Sequence, residues 1–173
     1  QEDYARALEQ AGLFIGAFPT DDLAGDIRHI AAESNVQLGE LAKAEQLYGQ
    51  LLAGQADHAD AKLWQVRRAL VLQLQNRHAE VVAALEPVAP TIQDPQLSAE
   101  ALFLLGGSQL ELGQNEPAVE HLQNSLATAP AWRRADETRL ALAHAYRQSG
   151  DLTKARENVN RVIADFSESS SLD

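Results

Sequence analysis

The chain has 173 residues, 45% of them apolar, and a formal net charge of −11, which allows one or two ordinary domains with a core. That acidity repels nucleic-acid phosphates instead of neutralising them, and no apolar run approaches the roughly 20 residues a membrane helix needs. There is no cysteine, so disulfide and thiolate chemistry are excluded.

The charge is uneven. Residues 1–60 carry 3 basic and 11 acidic side chains, whereas residues 131–173 carry 7 of each. Alanine, leucine and glutamine are frequent and aromatics are few, a mix that favours helices packed through small side chains. The stretches QLGELAKA (37–44) and QSGDLTKA (148–155) share Gln-x-Gly-acid-Leu-x-Lys-Ala and start 111 residues apart, which is three periods of 37. The two intervening copies are present. Gly39, Asn76, Gly113 and Gly150 fall 37 apart, as do Ala32, Ala69, Gly106 and Ala143. So do Ala44, Val81, Ala118 and Ala155, and Tyr48, Leu85, Leu122 and Val159. The chain is therefore an internal-repeat protein.

In chain order, residues 1–24 read as the second half of a unit. Tyr4, Ala7, Phe14 and Pro19 fall where Leu41, Ala44, Leu51 and Ala56 fall in the next copy. The most apolar stretch, GLFIGAF (12–18), lies here. Four full copies follow, at 25–61, 62–98, 99–135 and 136–172, and both ends are expected to continue into a longer array. Each copy predicts two helices joined by a turn at Gly39 or its equivalent. Before the second copy, DHAD (57–60) offers Asp57 or Asp60 as an N-cap, a better reading than a metal site. The second copy carries Trp64 as a core residue, Arg68 where leucine is expected, and Asn76 in place of glycine. Pro87 should end or kink its second helix early, so the least regular geometry is expected around 85–95. In the third copy Asp94-Pro95 predicts an N-cap with proline in the first helical turn. Leu102, Leu105 and Leu112 follow, Gly113 closes the helix, and Asn115 is the expected cap of the next. Ala118, Leu122, Ser125 and Leu126 form that helix's inward stripe, and Pro130 stops it. Trp132, beside Arg133 and Arg134 in the connection, is expected to plug the space between the third and fourth copies, the alternative being an exposed contact residue.

The pattern resembles the tetratricopeptide repeat (TPR). The resemblance rests on Leu105-Gly106, Gly113, Ala118, Leu122 and Pro130 in the third copy, and on Leu142-Ala143, Tyr146, Gly150 and Ala155 in the fourth. The period of 37 exceeds the family's usual 34, with the extra residues between the second helix of one copy and the first of the next. The resemblance implies an all-α, right-handed α-solenoid of antiparallel helix pairs. Small residues at 32, 69, 106 and 143 would let the two helices of a pair approach closely, with stability accumulating from neighbour to neighbour.

The resemblance also implies where function sits. In the family, partners bind a concave groove lined by the first helix of each pair. The matching positions here are Asp26, His29, Glu33 and Val36, then Leu63, Val66, Leu70 and Gln73. Glu100, Phe103, Gly107 and Leu110 follow, then Glu137, Leu140, His144 and Arg147. The expected partner groove is Leu63, Val66, Leu70, Phe103, Gly107, Leu110, Leu140, His144 and Arg147, with Leu63, Val66, Leu70, Phe103, Leu110 and Leu140 forming an exposed apolar strip. The alternative is that these side chains are covered. A family subclass clamps carboxylate termini with lysine and asparagine. The matching positions here hold Asp26, His29, Glu33 and Glu100, with Arg67 the only cation, so that clamp is missing. Arg133, Arg134, Arg139 and Arg147 read as a solvated surface, the alternative being contact with an acidic partner or with the acidic end of a neighbouring copy.

Catalytic signals are weak. GGSQL (106–110) lacks the strand–turn–helix setting of a nucleophile elbow, and no phosphate loop or two-histidine metal helix is present. The expectation is a non-catalytic scaffold that binds a protein or peptide, with no cofactor, no metal, no nucleic acid and no direct membrane insertion. The second reading is a recruiting or regulatory arm of a larger enzyme or envelope transport or assembly machine. By family analogy the compartment is the bacterial periplasm or envelope.

Overall fold

The structure, a computed structural model, describes residues 2–21 and 23–165. The end of the expected fourth copy, 166–172, lies outside the described residues. Among the described residues the fold is all-helical, without strands. The helices are α1 (Glu2–Ala17), α2 (Ala24–Gln37), α3 (Leu41–Gly54), α4 (Ala61–Leu74), α5 (His78–Leu85), α6 (Pro95–Glu111), α7 (Asn115–Thr128), α8 (Ala135–Gln148) and α9 (Leu152–Asp165), with a 3-10 turn at Ala89–Thr91. Helices α2, α4, α6 and α8 end at residues 37, 74, 111 and 148, and their partners α3, α5, α7 and α9 begin at 41, 78, 115 and 152. Both series keep the spacing of 37.

One local device sets these ends four times. Gly39, Asn76, Gly113 and Gly150 adopt φ of 76°, 59°, 73° and 83°. The left-handed residue reverses the chain so that the next amide donates to a carbonyl five residues back. The four bonds are Glu40 to Asn35 (2.8 Å), Arg77 to Leu72 (3.0 Å), Gln114 to Gln109 (2.9 Å) and Asp151 to Tyr146 (2.9 Å). Carbonyls that a helix end would leave bare are thereby satisfied. Asparagine is the non-glycine residue that best tolerates this conformation, so Asn76 keeps the turn that glycine makes elsewhere.

The irregular segment lies where proline places it. Helix α5 has 8 residues, whereas α7 has 14. Pro87 supplies no backbone N–H and blocks continuation, and the chain passes through the 3-10 turn instead. Helix α6 then starts at Pro95, with Asp94 Oδ1 accepting the Leu97 N–H at 2.7 Å. One of the two expected caps is corrected. Gln114, not Asn115, occupies the N-cap of α7, and no side chain bonds there. Asp60 occupies the N-cap of α4 without a side-chain cap bond. Its N–H instead donates to His58 Nδ1 at 3.1 Å, and the imidazole stacks on Trp64 at 4.7 Å.

The chain divides into two compact units, residues 1–77 and 78–173. In the first, α1 packs on α2, α2 on α3 and α3 on α4. Its core holds Ala32, Ala44, Tyr48, Leu51, Trp64 and Val71. Each large apolar side chain so buried contributes about 1.5–3 kcal/mol. Arg68, where leucine was expected, pairs with Glu45 at 3.7 Å. In the second unit, α5 packs on α6, α6 on α7, α7 on α8 and α8 on α9. Val81, Leu85, Leu104, Leu105, Ala118 and Leu122 are buried there. Helices α6 and α7 approach closely at Gly106, where a Cβ would stand 2.8 Å from Leu122 Cγ and 3.1 Å from the Ala118 carbonyl oxygen. Only glycine fits that contact without displacement, which explains its presence mid-helix despite a propensity cost of about 1 kcal/mol.

Candidate partner-binding faces

In the first unit the candidate face is built on α4, flanked by α2. Leu63 and Leu70, seven apart, fall on one side of α4 and are half-buried. Val66, expected between them as an exposed residue, is 0% exposed. On α2, Asp26 is exposed, whereas Glu33 is half-buried. Glu33 accepts a hydrogen bond from the Tyr48 hydroxyl, and Arg67 Nε lies 3.6 Å from the same carboxylate oxygen. Arg67, the only cation at the positions of the expected carboxylate clamp, is thus matched by a carboxylate of its own unit. The His29 ring lies 6.0 Å from that of Tyr48. Burial, and then the Glu33 carboxylate, push the Tyr48 phenol well above its ordinary value of 10.0.

In the second unit the candidate face runs along α6 and α8. Phe103 is 7% exposed, not open as expected. Trp132 covers it edge-on at 5.4 Å between ring centres, and the Arg134 guanidinium lies 4.5 Å above its ring. Arg134 is held in turn by Glu137, through Nε to Oε1 at 2.8 Å. Arg133 reaches the buried Glu100 carboxylate at 2.8 Å. Trp132 is itself 3% exposed, so it fills space inside the unit, and the two arginines beside it are not a free basic surface. Leu110 is buried as well. What remains on this face is half-buried Gly107, Leu140 and His144, and exposed Arg147.

The expected exposed strip is therefore corrected at Val66, Phe103 and Leu110, which are buried, while Leu63, Leu70 and Leu140 are half-buried. Sequence reasoning missed Glu45, which gathers Arg77, Arg68 and Gln75 from residues 23 to 32 positions away. No local pattern signals such a pairing. Among the described residues, no group of three His, Cys, Asp or Glu side chains is placed to hold a metal. No described helix is long and apolar enough to cross a membrane.

Two clefts lie away from these positions. One, of about 520 Å³, lies on α1 and α2 and is lined by Ala11, Leu13, Phe14, Phe18, Ile27 and Ile30 among others. It takes up much of the apolar opening stretch. The other, of about 390 Å³, lies among α7, α8 and α9 and is largely polar.

A family model described as T7SS, ESX-1 secretion system protein EccA1, N-terminal domain, matches residues 5–172. The chain belongs to this family. No curated protein matches it in sequence. Solved structures share its fold at low identity. The MamA RS-1 ArsTM double mutant aligns with a TM-score of 0.79 at 19% identity, over 96% of this chain and 88% of that one. BtubC (BKLC) from P. vanneervenii gives 0.78 at 17%, over 96% and 76%. The Podosopora anserina putative kinesin light chain with nearly identical TPR-like repeats gives 0.75 at 22%, over 93% and 85%. These likenesses establish an all-α, TPR-like solenoid fold.

Proposed function

We propose that this chain is a non-catalytic scaffold that holds a protein or peptide segment against the first-helix faces of its repeats, within residues 1–173 acting as one repeat domain. The observation that carries the reading is the set of half-buried apolar side chains left at those positions. They are Leu63 and Leu70 in the first unit and Leu140 in the second, with His144 and Arg147 beside Leu140. Each is accessible to a partner yet anchored on a helix, the arrangement a docking face requires. Val66, Phe103 and Leu110 serve as the packed layer behind it. A second reading is favoured by the family's own description, an N-terminal domain of a secretion-system protein. In that reading the scaffold is the recruiting arm of an export machine, and the partner is a machine component or a protein being exported. Work at the bacterial envelope accords with this role.

The test is capture of partners from the native cell by the wild-type chain and by Leu70→Glu plus Leu140→Glu. Neither leucine is fully buried, so the variant should keep its helical circular dichroism. Loss of bound partners is expected. Retention of every partner by a folded double variant contradicts the proposal.

A further inference from the structure

The polar cleft among α7, α8 and α9 has features that the helix-face reading does not use. Arg139, Lys154 and Arg161 line it, and Glu157 is its one carboxylate. Lys154 is held 3.1 Å from Asp151. Arg139 and Arg161 have no carboxylate partner among the described residues, and Arg139 Nε is sealed from solvent without a hydrogen bond. In a chain of net charge −11, this is a cleft with uncompensated positive charge. A partly buried guanidinium without a counter-charge is unfavourable, and an incoming carboxylate relieves it.

The rest of the lining narrows the ligand. Leu126, Ala127 and Leu142 supply apolar surface, while Gln123 and Asn158 supply side-chain amides. The Gln123 amide nitrogen donates to the Tyr146 hydroxyl at 2.6 Å, so its carbonyl oxygen is left to accept from a backbone N–H. Cations, amides and apolar surface together suit an extended peptide with acidic side chains. A lone inorganic anion would use only the cations. Arg139, Leu142 and Tyr146 repeat at three- and four-residue spacing and mark one side of α8. Leu140, His144 and Arg147 mark another, because 3.6 residues complete a turn.

We propose that this cleft is a second binding site, for an acidic peptide segment, with Arg139 and Arg161 as its charge contacts. The acidic remainder of the chain does not prevent this. Charges beyond the Debye length of about 10 Å at 0.1 M salt are largely screened, whereas contact pairs are not. The test uses fluorescence anisotropy with a fluorescein-labelled peptide of alternating glutamate and alanine. Its control is the same peptide with glutamine in place of glutamate. The glutamate peptide should bind more tightly than its control, and raising the salt should weaken it. Arg139→Gln plus Arg161→Gln should weaken it by about tenfold or more, the scale of one charge-assisted hydrogen bond. Arg161→Gln alone, on an exposed side chain, should give a smaller loss in the same direction and keeps the test valid if the double variant fails to fold. Equal affinity for both peptides overturns the proposal. So does unchanged affinity in the folded variants, or displacement of the peptide by inorganic phosphate at matched ionic strength.

Discussion

Helices α5 and α7 begin at equivalent repeat positions, 78 and 115, yet one has 8 residues and the other 14. Both bury their matched inward residues, Val81 and Leu85 in one and Ala118 and Leu122 in the other. The difference begins after that shared part. Position 87 is proline in the second copy, while position 124, its equivalent, is an exposed asparagine. A repeat therefore tolerates a shortened second helix provided its first two turns still pack. The missing length is made up by a 3-10 turn and by an early start to α6, which has 17 residues against 14 in α8.

The comparison can be broken most strongly by moving the proline. Asn124→Pro should truncate α7 and cost about 3 kcal/mol or more. Urea unfolding followed by circular dichroism measures this, and a loss below about 1 kcal/mol would mean that the last turn of α7 does not matter to the unit. Gly106→Leu tests the part the two helices share, the close seat of α6 on its neighbour. With a Cβ already 2.8 Å from Leu122 Cγ, overpacking should cost roughly 1–3 kcal/mol. An unchanged Tm would show that α6 and α7 do not touch there as described. The turn residues sharpen the comparison further. Gly113→Ala should destabilise by about 1–2 kcal/mol, the cost of a left-handed non-glycine residue. Asn76→Gly should instead stabilise by less than about 1 kcal/mol. If both substitutions have the same sign, the two turns are not equivalent.

The smallest expected effect is a pH dependence in the first unit. The Tyr48 phenol titrates above its ordinary value of 10.0 because it is buried and donates to Glu33. The folded chain therefore holds this proton where the unfolded chain releases it. The contribution is complete below about pH 10 and is lost as pH rises further. Urea midpoints measured upward from pH 9 should fall more steeply in the wild type than in Tyr48→Phe. Parallel curves would mean that the phenol is not sequestered.

What was legible in the sequence was whatever local chemistry dictates. A glycine recurring every 37 residues after a helical run needs a left-handed turn, and Asn76 could fill the same role. Asp94-Pro95 announces a helix start, and Pro87 a stop. The small residues at 32, 69, 106 and 143 announced close helix contact. What was not legible depends on side chains meeting from distant positions. Phe103 has the spacing of an exposed face, but Trp132 and Arg134 fold over it from a connection about 30 residues later. Glu45 reaches Arg77 across 32 residues. Arg139 read as a surface charge, and nothing in the sequence linked it to Arg161 until the fold placed both in one cleft. The His58 contact ahead of α4 escaped notice because an imidazole accepting a backbone N–H has no strong positional signature.

The whole account requires that each 37-residue copy close its first helix in the same way. Amide hydrogen exchange at Glu40, Arg77, Gln114 and Asp151 tests this most directly, since each donates back into a helix end. Slow exchange at all four, Arg77 included, is the predicted result. Unprotected exchange at Arg77 beside protection at the other three would contradict it.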